Sequence, residues 1–424
     1  MNSIQDKKDK KVLFENFISV SLTQIILYVF PLITLPYLSR VLGAEKFGLV
    51  FWAQSMMMYG IMLTDFGFNN SAVREFSINR DNPEKMSEIF SSILLIKMFF
   101  VCICFLILTL AVIFVPQINA ERKLFYLTFF IIVGNAFYPM YFFQGIEHMK
   151  YITFFNVVSR ALFLGLIFIF VRSQSDYLYV ALINSFAFLI PGIFALWLAH
   201  KRFGINFKIP SKQELIHQIK YSSEFFLARV SVSGYTNTNM FVLGLIVNPV
   251  LTGYYASAEK IYTALGGLAS PFSQILYPYV AKSRNIERYK KIFGLAILFF
   301  VCTISVVFIF SKDIVMIFYG AELIPAYKIL KIFCFASIIA VTSNLLGFPL
   351  LGGMGYTKDA NYSIIFASIL HIIGLIALLV FKSVNIYTVA LLVIFTEAFV
   401  LGFRIFKIVK YKIWSYNMMG NKYE

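Results

Sequence analysis

Long apolar runs separated by short polar breaks set the pattern of this chain. The runs fall near residues 13–38, 47–67, 88–114, 122–143, 151–171 and 177–199, and again near 217–246, 252–280, 290–310, 325–350, 360–381 and 385–409. Each is close to the ~20 residues an α-helix needs to cross about 30 Å of hydrocarbon. Transmembrane β-strands give weaker, alternating segments of about ten residues, so the pattern predicts helices rather than a barrel. The expected fold class is an all-α integral membrane protein, with about twelve transmembrane helices in two pseudo-symmetric six-helix lobes around a central cavity. The lobes are expected at 1–200 and 217–424, the second ending in a basic cytoplasmic tail; a basic cytoplasmic linker, 201–216, joins them.

The two-lobe reading rests on an internal echo. Phe47-Gly48-Leu49-Val50-Phe51-Trp52-Ala53-Gln54-Ser55 is matched by Thr252-Gly253-Tyr254-Tyr255-Ala256-Ser257-Ala258-Glu259-Lys260, and each copy opens a span after a short turn. Further on, Phe143-Gln144-Gly145 through Lys150-Tyr151 falls opposite Leu351-Gly352-Gly353 through Lys358-Asp359. Six spans per half give both halves the same orientation. Transporters built from such parallel repeats place the substrate between the halves.

Charge refines the picture. Lys and Arg exceed Asp and Glu, 37 to 21. Placed on alternate sides of the spans, 24 basic residues fall with the termini and 7 on the opposite side. The positive-inside rule then puts both termini in the cytoplasm. The excess is thus explained by loops facing anionic membrane lipids, and nucleic acid is not an expected partner. Cys102, Cys104, Cys302 and Cys334 all lie inside apolar runs and read as core thiols, neither disulfides nor metal ligands. The charged N-terminus leads into a first span that lacks a small-residue cleavage site, so that span is expected to be retained.

Six cations remain inside the spans: Lys97, Arg160, Arg229, Lys260, Lys328 and Lys331. A charge at the bilayer centre costs about 2.5–3.5 kcal/mol on insertion scales, so such groups line water or meet partners. Lys328 and Lys331 lie close enough to the surface to snorkel. Lys97 lies about a third of the way into its span and fits snorkelling or a cavity wall equally. Arg160, Arg229 and Lys260 lie deeper, and a water-filled cationic cavity accounts for them best. Such a chamber suits an anion, and the planar guanidinium suits phosphate in particular. Gln24, Gln54 and Asn237 could hydrogen-bond a hydroxylated ligand; Tyr235 and Tyr255 could stack on sugar rings, although packing is the commoner use of buried aromatics. The acids Glu397, Glu259 and Asp65 are candidates for ion coupling, with structural pairing the alternative for Glu397.

No phosphate-cradling loop continues to Gly-Lys-Ser/Thr, so no nucleotide motor is built in. Asp65-Phe66-Gly67 mimics a kinase signature without a catalytic loop and ends a span. His148, His200, His217 and His371 show no metal spacing. No catalytic constellation is found; the chain reads as a transporter that is not an enzyme and needs no cofactor or metal.

Several stretches resemble the O-antigen flippases, the polysaccharide-exporter branch of the multidrug/oligosaccharidyl-lipid/polysaccharide superfamily. Leu35-Pro36-Tyr37-Leu38-Ser39-Arg40-Val41-Leu42-Gly43 resembles their first-span exit. Asp65-Phe66-Gly67-Phe68 through Ser71-Ala72 to Arg74-Glu75, Tyr141-Phe142-Phe143-Gln144-Gly145-Ile146-Glu147, and Tyr254 to Lys260 are similar to further family stretches. The resemblance covers nearly the whole chain and is looser in the second half. It implies transport of an undecaprenyl-diphosphate-linked oligosaccharide from the inner to the outer leaflet of a bacterial plasma membrane, alongside a polysaccharide polymerase and chain-length machinery. It also implies lobes that open alternately to each side. On that reading Arg229, Lys260, Arg160 and Lys97 form the substrate-binding cationic cavity, and the first three take the diphosphate. A lipid II flippase, a cation-coupled drug antiporter and a membrane-embedded glycosyltransferase are the rivals. The antiporter would want an acidic cavity, and the transferase a large external or carboxylate-rich loop.

Overall fold

The computed structural model describes the backbone of residues 2–233 and 237–415, and the side chains of 30–226, 230 and 237–415. All regular structure among these residues is helical. Two compact units divide the chain, Met1–Val230 and Ser231–Glu424.

The first unit begins with α1, Asn2–Asp65, in which two helices run end to end across Gly43. Gly43 has φ 66 and ψ 177, a conformation open to glycine at no steric cost, and it falls where the sequence pattern placed the first turn. The unit continues through α2 (Phe68–Ile78), α3 (Pro83–Phe114), α4 (Pro116–Ala120), α5 (Arg122–Phe137), α6 (Met140–Gly145), α7 (Met149–Phe170), α8 (Tyr177–Phe203) and α9 (Lys212–Ser233). Asn82 caps α3 by accepting from the backbone N–H of Lys85, with Pro83 in the first turn. Pro139 forces Tyr138 out of the helical region and separates α5 from α6. One core of the unit is aromatic: Phe68, Phe76, Phe90, Tyr141, Phe142 and Phe143 pack together, buried. Elsewhere α5 crosses α8 in backbone contact. A Cβ on Gly134 would lie 2.6 Å from the backbone of Phe188 and Leu189, and one on Gly192 would lie 2.6 Å from the Gly134 carbonyl. Small residues at a crossing allow this approach.

The first unit runs on past the linker expected at 201–216, because α9 packs back onto it. The second unit holds α10 (Thr238–Ile246), α11 (Pro249–Gly267), α12 (Ser270–Ser283), α13 (Ile286–Ile309), α14 (Ser311–Tyr319), α15 (Tyr327–Leu345), a π-helical segment Leu346–Gly352, α16 (Thr357–Val380) and α17 (Ile386–Lys410). Asparagines again start the helices: Asn248 caps α11, Asn285 caps α13 and Asn385 caps α17.

Nine helical segments among the described residues are long and apolar enough to cross a membrane. About twelve were expected. The first two expected spans fall on α1, whose described portion is counted within the kinked segment Phe30–Ile78; the one at 217–246 lies partly outside the described residues, and the one at 252–280 is divided between α11 and α12, with Pro271 starting α12. Cys104 and Cys334 are buried as expected, but Cys102 and Cys302 are exposed. An apolar thiol on a lipid-facing helix needs no protein around it.

Candidate functional site

The cations expected to share one chamber have different surroundings. Lys97, on α3, is buried with a side-chain exposure of 1%, and its ammonium lies 3.4 Å from Asp65 at the end of α1. Asn69 Nδ2 donates to the other oxygen of Asp65 at 3.1 Å, and the Lys97 ammonium also sits 5.1 Å from the Tyr141 ring. The structure thus joins two residues that the sequence had given separate roles.

Arg160, on α7, is half-buried, and no hydrogen bond or ion pair is seen for it among the described residues. Asn156, one turn earlier on the same face, donates to the carbonyl of Ile152 at 2.8 Å and lines a small cavity with Ser159, Tyr138 and Phe188. Gln54 is half-buried on α1, beside the buried Trp52. Gln24 lies on α1 and Arg229 on α9, but both side chains fall outside the described residues, as does the whole of Tyr235.

In the second unit, Asn237 is half-buried just before α10. Tyr255, Glu259 and Tyr262 follow one another along one face of α11. Tyr255 is buried against Phe333 of α15 at 5.5 Å between ring centroids. Tyr262 stacks on the same Phe333 at 4.9 Å and donates to Glu397 of α17 at 3.1 Å. Glu259 and Lys260 are half-buried on α11. Lys328 is exposed, and Lys331 lies over the Phe308 ring at 4.9 Å.

Two buried polar groups escaped the sequence reading. Arg404 counts among the 24 basic residues placed with the termini, as the first of the cytoplasmic tail, yet it is only 2% exposed. Its guanidinium donates to Ser363 Oγ at 2.9 Å, the Ser343 carbonyl at 2.6 Å and Ser343 Oγ at 3.1 Å. It fills space that a Cβ on Gly347 would occupy, so glycine there makes room for it. The signal was available: Arg404 falls inside the last apolar run. His371, set aside for lack of metal spacing, is buried between Asn239 Oδ1 at 2.8 Å and Thr396 Oγ1 at 2.7 Å, tying α16 to α10 and α17.

One more polar cluster lies where α9 meets α2 and α3. Glu75, Glu214 and His217 bring possible ligand atoms within 4.8 Å of one another. Their charge is met by protein groups: Lys85 pairs with Glu214 at 2.8 Å, and the Gln218 amide donates to both Glu75 and Glu214. Burial pushes the Glu214 carboxyl up, but the hydrogen bonds from Lys85 and Gln218 outweigh it and leave the group below its ordinary value. Nearby, the Arg80 hydrogen bond at 2.9 Å holds Glu147 below its ordinary value against a smaller effect of burial.

Solved structures share this bundle of apolar helices. The chain is similar to the lipid II flippase MurJ in an inward closed conformation, with a TM-score of 0.68 and 16% identity over 95% of this chain and 90% of that one. It is similar also to an inward-facing multidrug resistance transporter of the MATE family and MOP superfamily, with a TM-score of 0.63 and 14% identity over 94% of this chain and 99% of that one. These likenesses establish the fold. The model of the polysaccharide biosynthesis protein family matches residues 13–284, and the chain belongs to that family. It is 32% identical over 282 residues, 66% of its length and 68% of the relative's, to a protein of Escherichia coli K12 named "Putative O-antigen transporter". A Shigella dysenteriae protein of the same name is 24% identical over 89% of this chain and 95% of that one. The relatives are transporters, not enzymes.

Proposed function

We propose that this protein carries an undecaprenyl-diphosphate-linked oligosaccharide from the inner to the outer leaflet of a bacterial plasma membrane, as a step in making O-antigen, capsule or a related polymer. The observation that carries the reading is Arg160: a half-buried guanidinium on an apolar helix, with no acidic partner seen among the described residues. A cation so placed is costly unless an anion visits it. A diphosphate brings that anion, and the guanidinium fork matches its oxygens. The names of the two relatives support the saccharide half of the reading.

On this reading twelve helices form two lobes of six, with both termini cytoplasmic and a central cavity between them. The expected repeat is supported by a short helical segment that closes the fourth span of each half, the α-helical Met140–Gly145 and the π-helical Leu346–Gly352. Arg160, Arg229 and Lys260 hold the diphosphate, and Gln24, Gln54, Asn237, Tyr235 and Tyr255 solvate or stack on the sugars. The polyprenyl tail stays in lipid. Lys97, tied to Asp65, supports the wall in this conformation. A membrane potential of 100 mV, inside negative, favours outward movement of each negative charge by about 2.3 kcal/mol. If a cation returns in exchange, Glu397, Glu259 or Asp65 carries it.

The test is complementation of a strain lacking its O-antigen flippase, scored as surface polysaccharide, with wild type, Arg160→Gln and Arg229→Ala at matched membrane levels. Polymer restored by wild type and lost in both variants is the expected result. Wild type that restores nothing in the strain with its native saccharide cluster, yet rescues cells depleted of their lipid II flippase, would replace the saccharide with a peptidoglycan precursor.

A further inference from the structure

The face that α9 buries is polar. Glu214, Gln218 and Ser222 recur every fourth residue, which aligns them on one side of the helix, and all three are buried. Each meets a polar partner in the stretch Asp65–Lys85: Glu214 meets Lys85, Gln218 meets Glu75, and the hydroxyls of Ser222 and Ser71 lie 2.7 Å apart. Arg74 adds a hydrogen bond to the Tyr221 hydroxyl at 3.0 Å, and Phe66 stacks on Phe226 at 4.5 Å. The seat is also cut to fit. Gly67, at φ 81, faces the helix so closely that a Cβ there would lie 2.7 Å from the Ser222 carbonyl and 2.8 Å from Phe225 Cβ.

An apolar stripe, once docked, is expensive to bring into water. A stripe of carboxylate, amide and hydroxyl exchanges its partners for water at little net cost, because a protein hydrogen bond is worth only about 1 kcal/mol net. Such a face suits contacts that are made and broken. The α9 helix reaches Ser233, and the chain enters the second compact unit at Ser231, so α9 is the segment that leads from the first unit into the second.

We propose that α9 and its seat form a reversible latch, closed here, whose release opens the first unit toward the side that carries the termini. The proposal rests on the transport reading above and gives the Asp65-Phe66-Gly67 to Glu75 stretch its purpose: Gly67 seats the helix, and Ser71, Glu75 and Lys85 hold it reversibly.

The experiment uses the full-length protein with Cys102, Cys104, Cys302 and Cys334 replaced by alanine. Ser71→Cys and Ser222→Cys are introduced together, oxidised to a disulfide and then reduced. The expected result is saccharide export at least tenfold lower in the oxidised form and restored by reductant. Equal export in both forms overturns the latch. Export absent in the reduced form as well counts against the flippase reading, and the latch is then judged by labelling alone. For that, Ser71→Cys by itself is exposed to a membrane-impermeant maleimide in inverted vesicles. Gly67→Ala, and separately Gln218→Leu, are expected to speed labelling several-fold, and undecaprenyl diphosphate added to the vesicles to do the same in the Ser71→Cys background. Labelling that stays slow in all three cases overturns the latch, whatever is transported.

Discussion

Lys97 and Arg160 look alike in the sequence: each is a single cation within an apolar run of the first unit. In the structure they differ in the one respect that matters for a charge in a membrane. Lys97 is sealed against Asp65 and the Tyr141 ring, whereas Arg160 is half-buried with no acid beside it among the described residues. A paired, sealed cation supports the fold; one that keeps some access and no acid can answer to a ligand. Position in a span identifies an unusual charge, and the partner decides what it is for.

The comparison breaks most visibly if the pair is split. Asp65→Ala leaves a buried ammonium without that carboxylate, and breaking a buried pair costs about 3–5 kcal/mol. Thermal unfolding in detergent should show a large loss, while Asp65→Asn combined with Lys97→Met recovers most of it. A small loss in the single variant would mean that the pair is not structural. Arg160→Gln should do the reverse: unchanged thermal stability, with export down at least tenfold. A variant that unfolds early would move Arg160 into the same class as Lys97.

Smaller effects come from charges outside the spans. Glu214 sits below its ordinary value in the folded protein, so its contribution is present above the unfolded carboxylate range. That contribution is lost as pH falls through the lowered value. Acidification into and below the usual carboxylate range should therefore loosen α9. The readout is maleimide labelling of Ser71→Cys relative to a fully exposed cysteine labelled at the same pH, because the thiolate itself becomes scarcer. That ratio should rise, and Glu214→Gln should flatten its pH dependence. The smallest effect belongs to Arg80 and Glu147, an exposed pair at 2.9 Å. Exposed pairs contribute about 0–1 kcal/mol and are screened by salt. Glu147→Gln should shift the melting temperature little, and less still in high salt.

Much of the helical layout could be read from hydropathy because crossing a membrane demands it residue by residue, and the turn at Gly43 fell where the apolar runs gave out. The break at Tyr138 did not, for it lies inside the run expected at 122–143 and is set by Pro139 rather than by polarity. Pairings were harder. Lys97 and Asp65 are separated by 32 positions, and nothing local to either announces the other. Arg404 lies near the cytoplasmic end of the last apolar run, where a basic residue is expected to reach the surface, yet the serines and backbone carbonyl around it satisfy a guanidinium with no carboxylate among those hydrogen-bond partners. The seat of α9 was hidden for the opposite reason: its buried face is polar, and a reading that equates burial with apolar residues looks straight past it.

The crossing of α5 and α8 has a practical consequence for anyone who wants to watch this molecule move. Because Gly134 and Gly192 let the two backbones touch, there is no side-chain cushion through which one helix could slip against the other. The two act as a single beam. Spectroscopic labels placed on the outer faces of α5 and α8 should report the same separation under every condition, which makes that distance an internal ruler against which displacements of α9 can be measured.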